Sequence, residues 1–289
     1  MAVDFAAVSK YNTVMPIHKS RTKSQGVVIF AYANELIDYV ALAAWSTLNI
    51  HRHLNLPVCV ITDQTDLPSH YSFDQVIVTD KNSEYSRHFS DYDQLVTWYN
   101  RNRMDAFELS PWDHTLVLDA DYVVASDRLL SLFDSAHPFL AHDRAHDVTG
   151  AEPFKTNRTF GLYHMPMSWA TVMIFNRTSQ AKRIFDAMSM IRDNWHHYRA
   201  LYSIMPATYR NDHALSIAQL IVNGHALSWP TIPWSLASVT PSPRVTQLAQ
   251  DQYRVDYDNA QGQPRWITVN HDFHVMGKRH LGDIVANSI

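Results

Sequence analysis

The sequence predicts an α/β fold, a mainly parallel sheet flanked by helices. Two observations predict it. Short continuous apolar runs recur between residues 26 and 118, as strands buried on both faces require. Segments of helical spacing follow several of those runs, the order that βαβ units and a parallel sheet produce.

The elements follow in order. Residues 1–25 carry no strong period and read as an N-terminal arm with a basic cluster of His18, Lys19, Arg21 and Lys23. Residues 26–33 (GVVIFAYA) form the first strand. Residues 35–54 form a helix, with Leu36, Val40, Ala43, Ala44, Thr47 and Leu48 near helical spacing and Asn34 as its N-cap. Residues 57–62 and 75–79 are further strands. Residues 91–109 read as a helix that delivers Arg101 and Arg103. The run 115–118 is a fourth strand and opens into Asp119-Ala120-Asp121. Beyond it, 170–175 reads as a strand, 179–193 as a helix, and 212–222 as a helix capped by Asn211. Residues 229–243, crowded with proline and tryptophan, read as a covering loop. Residues 253–257 and 266–269 read as a hairpin. The chain closes with His271-Asp272-Phe273-His274-Val275-Met276-Gly277-Lys278.

Composition narrows the function. The chain has 289 residues, 46% hydrophobic and 18% charged, an ordinary globular balance. Its net charge of −4 excludes a strongly basic protein. The single cysteine, Cys59, rules out a disulfide framework and a cysteine-based metal site, and reads as a small core residue. No run approaches the roughly 20 apolar residues of a membrane span, and no apolar signal core opens the chain. The expectation is a cytoplasmic enzyme.

Ligands of parallel α/β sheets bind at the carboxyl ends of the strands. Asn34, Asp63, Asp80 and Asp119 stand just there. In extended backbone, residues i and i+2 project to one side, so Asp119 and Asp121 face one ligand. Their carboxylates suit a hard cation, Mn²⁺ or Mg²⁺, bridged to substrate phosphates. His274 is a third candidate ligand, with His271 its rival. Gly277 permits close backbone approach to phosphate, and Lys278 supplies positive charge. Arg101 and Arg103 point to donor phosphates or base, or else to a solvated helix face. Tyr32, Asn34 and Asp63 are candidate nucleoside contacts. Asp212 is a candidate general base toward an acceptor hydroxyl, or a sugar-binding carboxylate, or an acid placed by helix electrostatics.

Taken together, the segments GVVIFAYAN, PVCVITD, SPWDHTLVLDADYVV, WATVMIFNRT, YRNDHALSIA and HDFHVMGK resemble those of glycosyltransferases of the GT-A (Rossmann-like) fold. The late His-x-x-Gly segment followed by lysine resembles the glycogenin and galactosyltransferase-like branch, family 8-like. The resemblance implies a mixed, mainly parallel sheet in one catalytic domain over residues 26–289. Its nucleotide-binding half would be 26–124 and its acceptor-binding half 125–289. It implies a nucleotide-sugar donor, a UDP-sugar. It places uridine at Tyr32, Asn34 and Asp63, the metal at Asp119, Asp121 and His274, and the diphosphate beside Ala120, Gly277 and Lys278. The small size also resembles transferases carried by tailed phages, some of which glycosylate hydroxymethylated bases in DNA. The acceptor is then a glycan or modified DNA. A sugar-1-phosphate nucleotidyltransferase or a non-catalytic nucleotide-sugar binding protein are the alternatives. The former needs a glycine-rich loop where Ala31-Tyr32-Ala33-Asn34-Glu35 stands.

Overall fold

The computed structural model describes residues 24–81, 86–89, 92–151, 158–205, 208–286 and 288. Lys19, Arg21 and Lys23 of the basic cluster, and His18 with them, lie outside the described residues. In chain order, the first half contains β1 (Gln25–Phe30), α1 (Tyr39–Leu54), β2 (Val58–Thr62), β3 (Gln75–Val78), β4 (Ser86–Phe89), β5 (Gln94–Thr97), α2 (Ala106–Leu109), β6 (His114–Leu118) and β7 (Tyr122–Val123). The second half contains β8 (Phe139–His142), β9 (Ala145–Asp147), β10 (Thr159–Phe160), β11 (Met165–Pro166), β12 (Trp169–Asn176), α3 (Ser179–Asp193), α4 (Trp195–Leu201) and α5 (Asn211–Val222). It ends with β13 (Leu236–Val239), β14 (Arg244–Ala249), β15 (Gln252–Asp258), β16 (Pro264–Val269), β17 (Phe273–Val275) and α6 (Lys278–Ala286).

The apolar runs do form a six-stranded sheet, ordered β3-β2-β1-β6-β12-β8. β3, β2, β1 and β6 are mutually parallel, and β12 enters antiparallel between β6 and β8. The fold is therefore mixed and mainly parallel, as the sequence predicts. Every residue of β2 is buried, whereas β3 alternates and leaves Val76 and Val78 exposed, because β3 is the edge strand. α3 has the predicted bounds. Its buried stripe of Ala181, Ile184, Phe185, Met188 and Ile191 follows helical spacing, and Thr178 caps it by accepting from the Ala181 N–H. Cys59 is buried in β2, and burial pushes its thiol up to about 12, which makes it inert.

Several expectations need correction. The region 91–109 is not one helix. Val96, Thr97, Trp98 and Tyr99 are strand formers, and β4 and β5 pair as a hairpin before the chain turns into a short helix at 106–109. The cap of α1 is Asp38, whose carboxylate accepts from the Val40 and Ala41 N–H groups. Asn34 instead closes a turn, accepting from the Leu36 and Ile37 N–H groups, so the helix starts four residues later than its polar flank suggests. Asn211 is the first residue of α5, and no side chain caps that helix. The loop at 229–243 contains β13, and the expected hairpin is part of a three-stranded sheet, β14-β15-β16.

A second, four-stranded sheet, β7-β17-β13-β9, decides the site. β7 begins one residue after Asp121, and it pairs antiparallel with β17 so that Tyr122 opposes His274. β13 pairs parallel with β17 and sets Ser238 opposite His274. Backbone ladders thus carry a histidine more than 150 positions away to the carboxylates that leave β6.

Candidate active site

A cleft of about 230 Å³ opens where β1 and β6 end. Tyr32, Asn34, Arg103, Asp119, Ala120, Asp121, Asp212, His274 and Lys278 all line it. Asp119 is steered by its N–H, which donates to the Thr171 carbonyl at 3.0 Å. One ligand atom each from Asp119, Asp121 and His274 lie within 4.8 Å of one another. His271 is exposed and lies outside this group, facing Asp272, His146 and Arg128. The Ser238 hydroxyl lies 3.2 Å from His274 Nδ1, which orients the ring and leaves Nε2 toward the carboxylates, 3.4 Å from Asp121 Oδ2.

Each acid of the cleft has its own cation. Arg103, a residue only 4% exposed, donates from its guanidinium to Asp119 Oδ1 and to the Ala170 carbonyl. Lys278 contacts Asp121 Oδ2 and donates to the Val275 carbonyl at 3.2 Å. Arg210 donates to Asp212 Oδ2 at 2.7 Å, and the Ala170 N–H donates to Asp212 Oδ1 at 2.9 Å. Burial of Asp121 opposes its charge, yet the neighbouring Lys278 and His274 outweigh it and hold the carboxyl well below the usual carboxylate range. Burial likewise opposes the Asp212 charge, and Arg210 with the Ala170 N–H turns the balance downward. With both oxygens engaged and a depressed pKa, Asp212 is a poor proton acceptor at neutral pH.

Three expected contacts, Asp63, Arg101 and Gly277, are not among the residues that line the cleft. Asp63 is paired with Lys81 Nζ at 2.8 Å, and that ammonium lies 4.6 Å over the Tyr99 ring. Arg101 is buried with its guanidinium 5.3 Å over the Tyr209 ring. Gly277 packs on Pro241, whose carbonyl oxygen would be 2.8 Å from an added Cβ, so its smallness serves this backbone approach. Tyr32 lines the cleft, and its hydroxyl lies 2.6 Å from the Thr79 hydroxyl.

Sequence reasoning missed Trp98, Tyr99, Asn100, Trp169, Arg210 and Met276, all of which line the cleft. The run Trp98-Tyr99-Asn100 was hidden inside a misread helix. Arg210 carries a local signal, a cation two residues before the acid it holds.

No protein-family model matches the chain, and no curated protein matches it. Among solved structures the chain is similar to the glycosyltransferase GlyE of Streptococcus pneumoniae TIGR4 in its apo form. The two are 15% identical with a TM-score of 0.38, over 68% of this chain and 43% of that one. The chain thus spans less than half the length of GlyE. It is also similar to the galactosyltransferase LgtC in complex with donor and acceptor sugar analogs, at 16% identity and a TM-score of 0.43, over 66% of this chain and 69% of that one.

Proposed function

We propose that the chain transfers a sugar from a nucleotide-diphosphate donor, a UDP-sugar, to a hydroxyl acceptor, with a divalent cation held by Asp119, Asp121 and His274. The observation that carries this reading is the convergence of two carboxylates and an imidazole in one cleft at the ends of parallel strands. The donor set fits the ion. Ligands at roughly 2.1 Å from one cation lie about 3 Å apart at right angles. The 3.4 Å between Asp121 Oδ2 and His274 Nε2 is close to that spacing. Oxygen donors with one imidazole suit Mn²⁺ or Mg²⁺.

When bound, that cation supplies charge to the diphosphate leaving group as the glycosidic bond breaks. The chain's own residues do the rest. Lys278 offers a second charge to the phosphates, beside the backbone of Ala120. Tyr32 and Asn34 receive the nucleoside at the end of β1. Asp63 and Arg101 stiffen that wall from behind, and Gly277 lets β17 approach Pro241 so that His274 and Lys278 reach the cleft. Asp212, held by Arg210 and the Ala170 N–H, orients the sugar. Trp98 and Trp169 offer apolar faces for sugar and acceptor.

The test is a thermal-shift panel of UDP-, GDP- and CMP-sugars with and without Mn²⁺, followed by glycan and hydroxymethylated-DNA acceptors offered to the donor that stabilises. A ligand at 100-fold its Kd adds about 2.7 kcal/mol of apparent stability. Stabilisation by a UDP-sugar only with Mn²⁺ supports the reading. No stabilisation by any nucleotide sugar overturns it.

A further inference from the structure

Asp121 Oδ2 is contested. The Lys278 ammonium contacts that oxygen, and His274 Nε2 faces the same atom at 3.4 Å. A divalent ion held by Asp121 and His274 would meet the Lys278 ammonium at this same oxygen. Two cations that close repel strongly in a site where Asp121 is only 5% exposed. Asp119 differs. Arg103 contacts its Oδ1 and is tied to the Ala170 carbonyl, which leaves Oδ2 for another partner. Arg103 therefore stays in place, whereas Lys278 sits on a flexible stem at the first residue of α6 and can redirect its charge.

We propose that Lys278 competes with the divalent cation for Asp121 Oδ2, and that a diphosphate relieves the competition by drawing the ammonium away. Cation and nucleotide diphosphate then bind cooperatively, each tightening the other by the same factor. The ion pair with Lys278 suppresses binding of a bare metal ion and keeps the buried carboxylate neutralised until the donor arrives. This coupling rests on the metal and nucleotide reading above, and it assigns Lys278 as a positioning residue for the metal as well as a phosphate contact.

The experiment measures Mn²⁺ binding from the aqueous Mn²⁺ electron paramagnetic resonance signal. Wild type, Lys278→Met, Lys278→Gln and Asp121→Asn are titrated alone, with inorganic pyrophosphate, and with UDP, each anion series being repeated without protein so that Mn²⁺ held by the free anion is subtracted. In wild type, both pyrophosphate and UDP tighten Mn²⁺ binding, by about tenfold or more. Without either anion, both Lys278 variants bind Mn²⁺ about tenfold more tightly than wild type, and the gain on adding UDP shrinks. The glutamine variant keeps the test open if methionine prevents folding, which circular dichroism reports. Mn²⁺ binding by the Lys278 variants that equals or falls below wild type overturns the competition, even if Asp121→Asn abolishes binding. A wild type that binds no Mn²⁺ under any condition overturns the metal reading itself, and the coupling with it.

Discussion

Arg103 holds the cleft together electrostatically, and replacing it with methionine has a calculable consequence. Methionine keeps much of the volume but removes the charge. The side chain of Arg103 is 5% exposed and that of Asp119 17%, so neither ion is well hydrated. Removing one partner of a buried pair leaves an uncompensated charge and destabilises by roughly 3–5 kcal/mol. Asp119 borders the cleft and recovers some hydration, which places Arg103→Met near the lower end, about 3 kcal/mol. Asp119→Asn strands the guanidinium, which cannot shed its proton, and falls in the same range. The double variant strands neither, so its destabilisation is smaller than the sum by about 2–3 kcal/mol. Urea denaturation of the four proteins at pH 7 and fixed salt, followed by tryptophan fluorescence, measures the cycle. Arg103→Met within about 0.5 kcal/mol of wild type, or additivity within that margin, refutes the buried-pair reasoning.

Other outcomes follow from the same geometry. His274→Ala weakens Mn²⁺ affinity by about tenfold or more, while His271→Ala leaves it unchanged by calorimetry; the reverse ranking reassigns the ligand. Asp212→Asn slows turnover by about tenfold or less and leaves the pH–rate profile in place, because its oxygens anchor Arg210 and the Ala170 N–H; loss on the order of a thousandfold together with the basic limb restores the general-base role. His142 is fully buried, its ring N–H faces the Trp234 carbonyl, and burial lowers its pKa to about 4. The unfolded chain therefore takes up a proton near pH 6.5 that the fold refuses, so stability falls as pH drops from about 6.5 to 4, on the order of 3 kcal/mol from this group. His142→Phe flattens that slope, read from urea midpoints; an unchanged slope contradicts the assignment. Asp121 works in the opposite window. Its depressed pKa gives stability that is present above the ordinary carboxylate range and lost as pH falls below about 4, so Asp121→Asn flattens the acid limb of the same curve.

How much of this was legible in the sequence depends on the range of the interactions. Residues 26–33, 57–62 and 115–118 announce themselves because strands buried on both faces need unbroken apolar runs. Asp119 and Asp121 are legible from their position after the apolar run, but not for the expected reason: β6 ends at Leu118, and the Tyr122 N–H donates to the Asp119 carbonyl at 3.0 Å, so a tight turn rather than extended backbone brings both acids to the cleft. His274 is legible only through its pattern with Gly277 and Lys278. What brings it to the acids is the pairing of β17 with β7 and β13, which leaves no trace in local periodicity. The segment 91–109 misleads because its spacing suits a helix while Val96, Thr97, Trp98 and Tyr99 prefer extended backbone, and the hairpin wins. That error hid the aromatic wall of the cleft. The ion pairs of Asp119, Asp121 and Asp212 are also invisible locally, except for Arg210 beside Asp212.

In the proposed function, the Asp119–Asp121–His274 cleft breaks a nucleotide-sugar bond with help from a divalent cation. Release of UDP from the stabilising UDP-sugar, measured with Mn²⁺, with excess EDTA, and in Asp121→Asn, tests it most directly. The expected result is release with Mn²⁺, loss of it in EDTA with recovery on adding Mn²⁺ back, and loss in Asp121→Asn. Release that continues unchanged in excess EDTA, or in the folded Asp121→Asn protein, contradicts it.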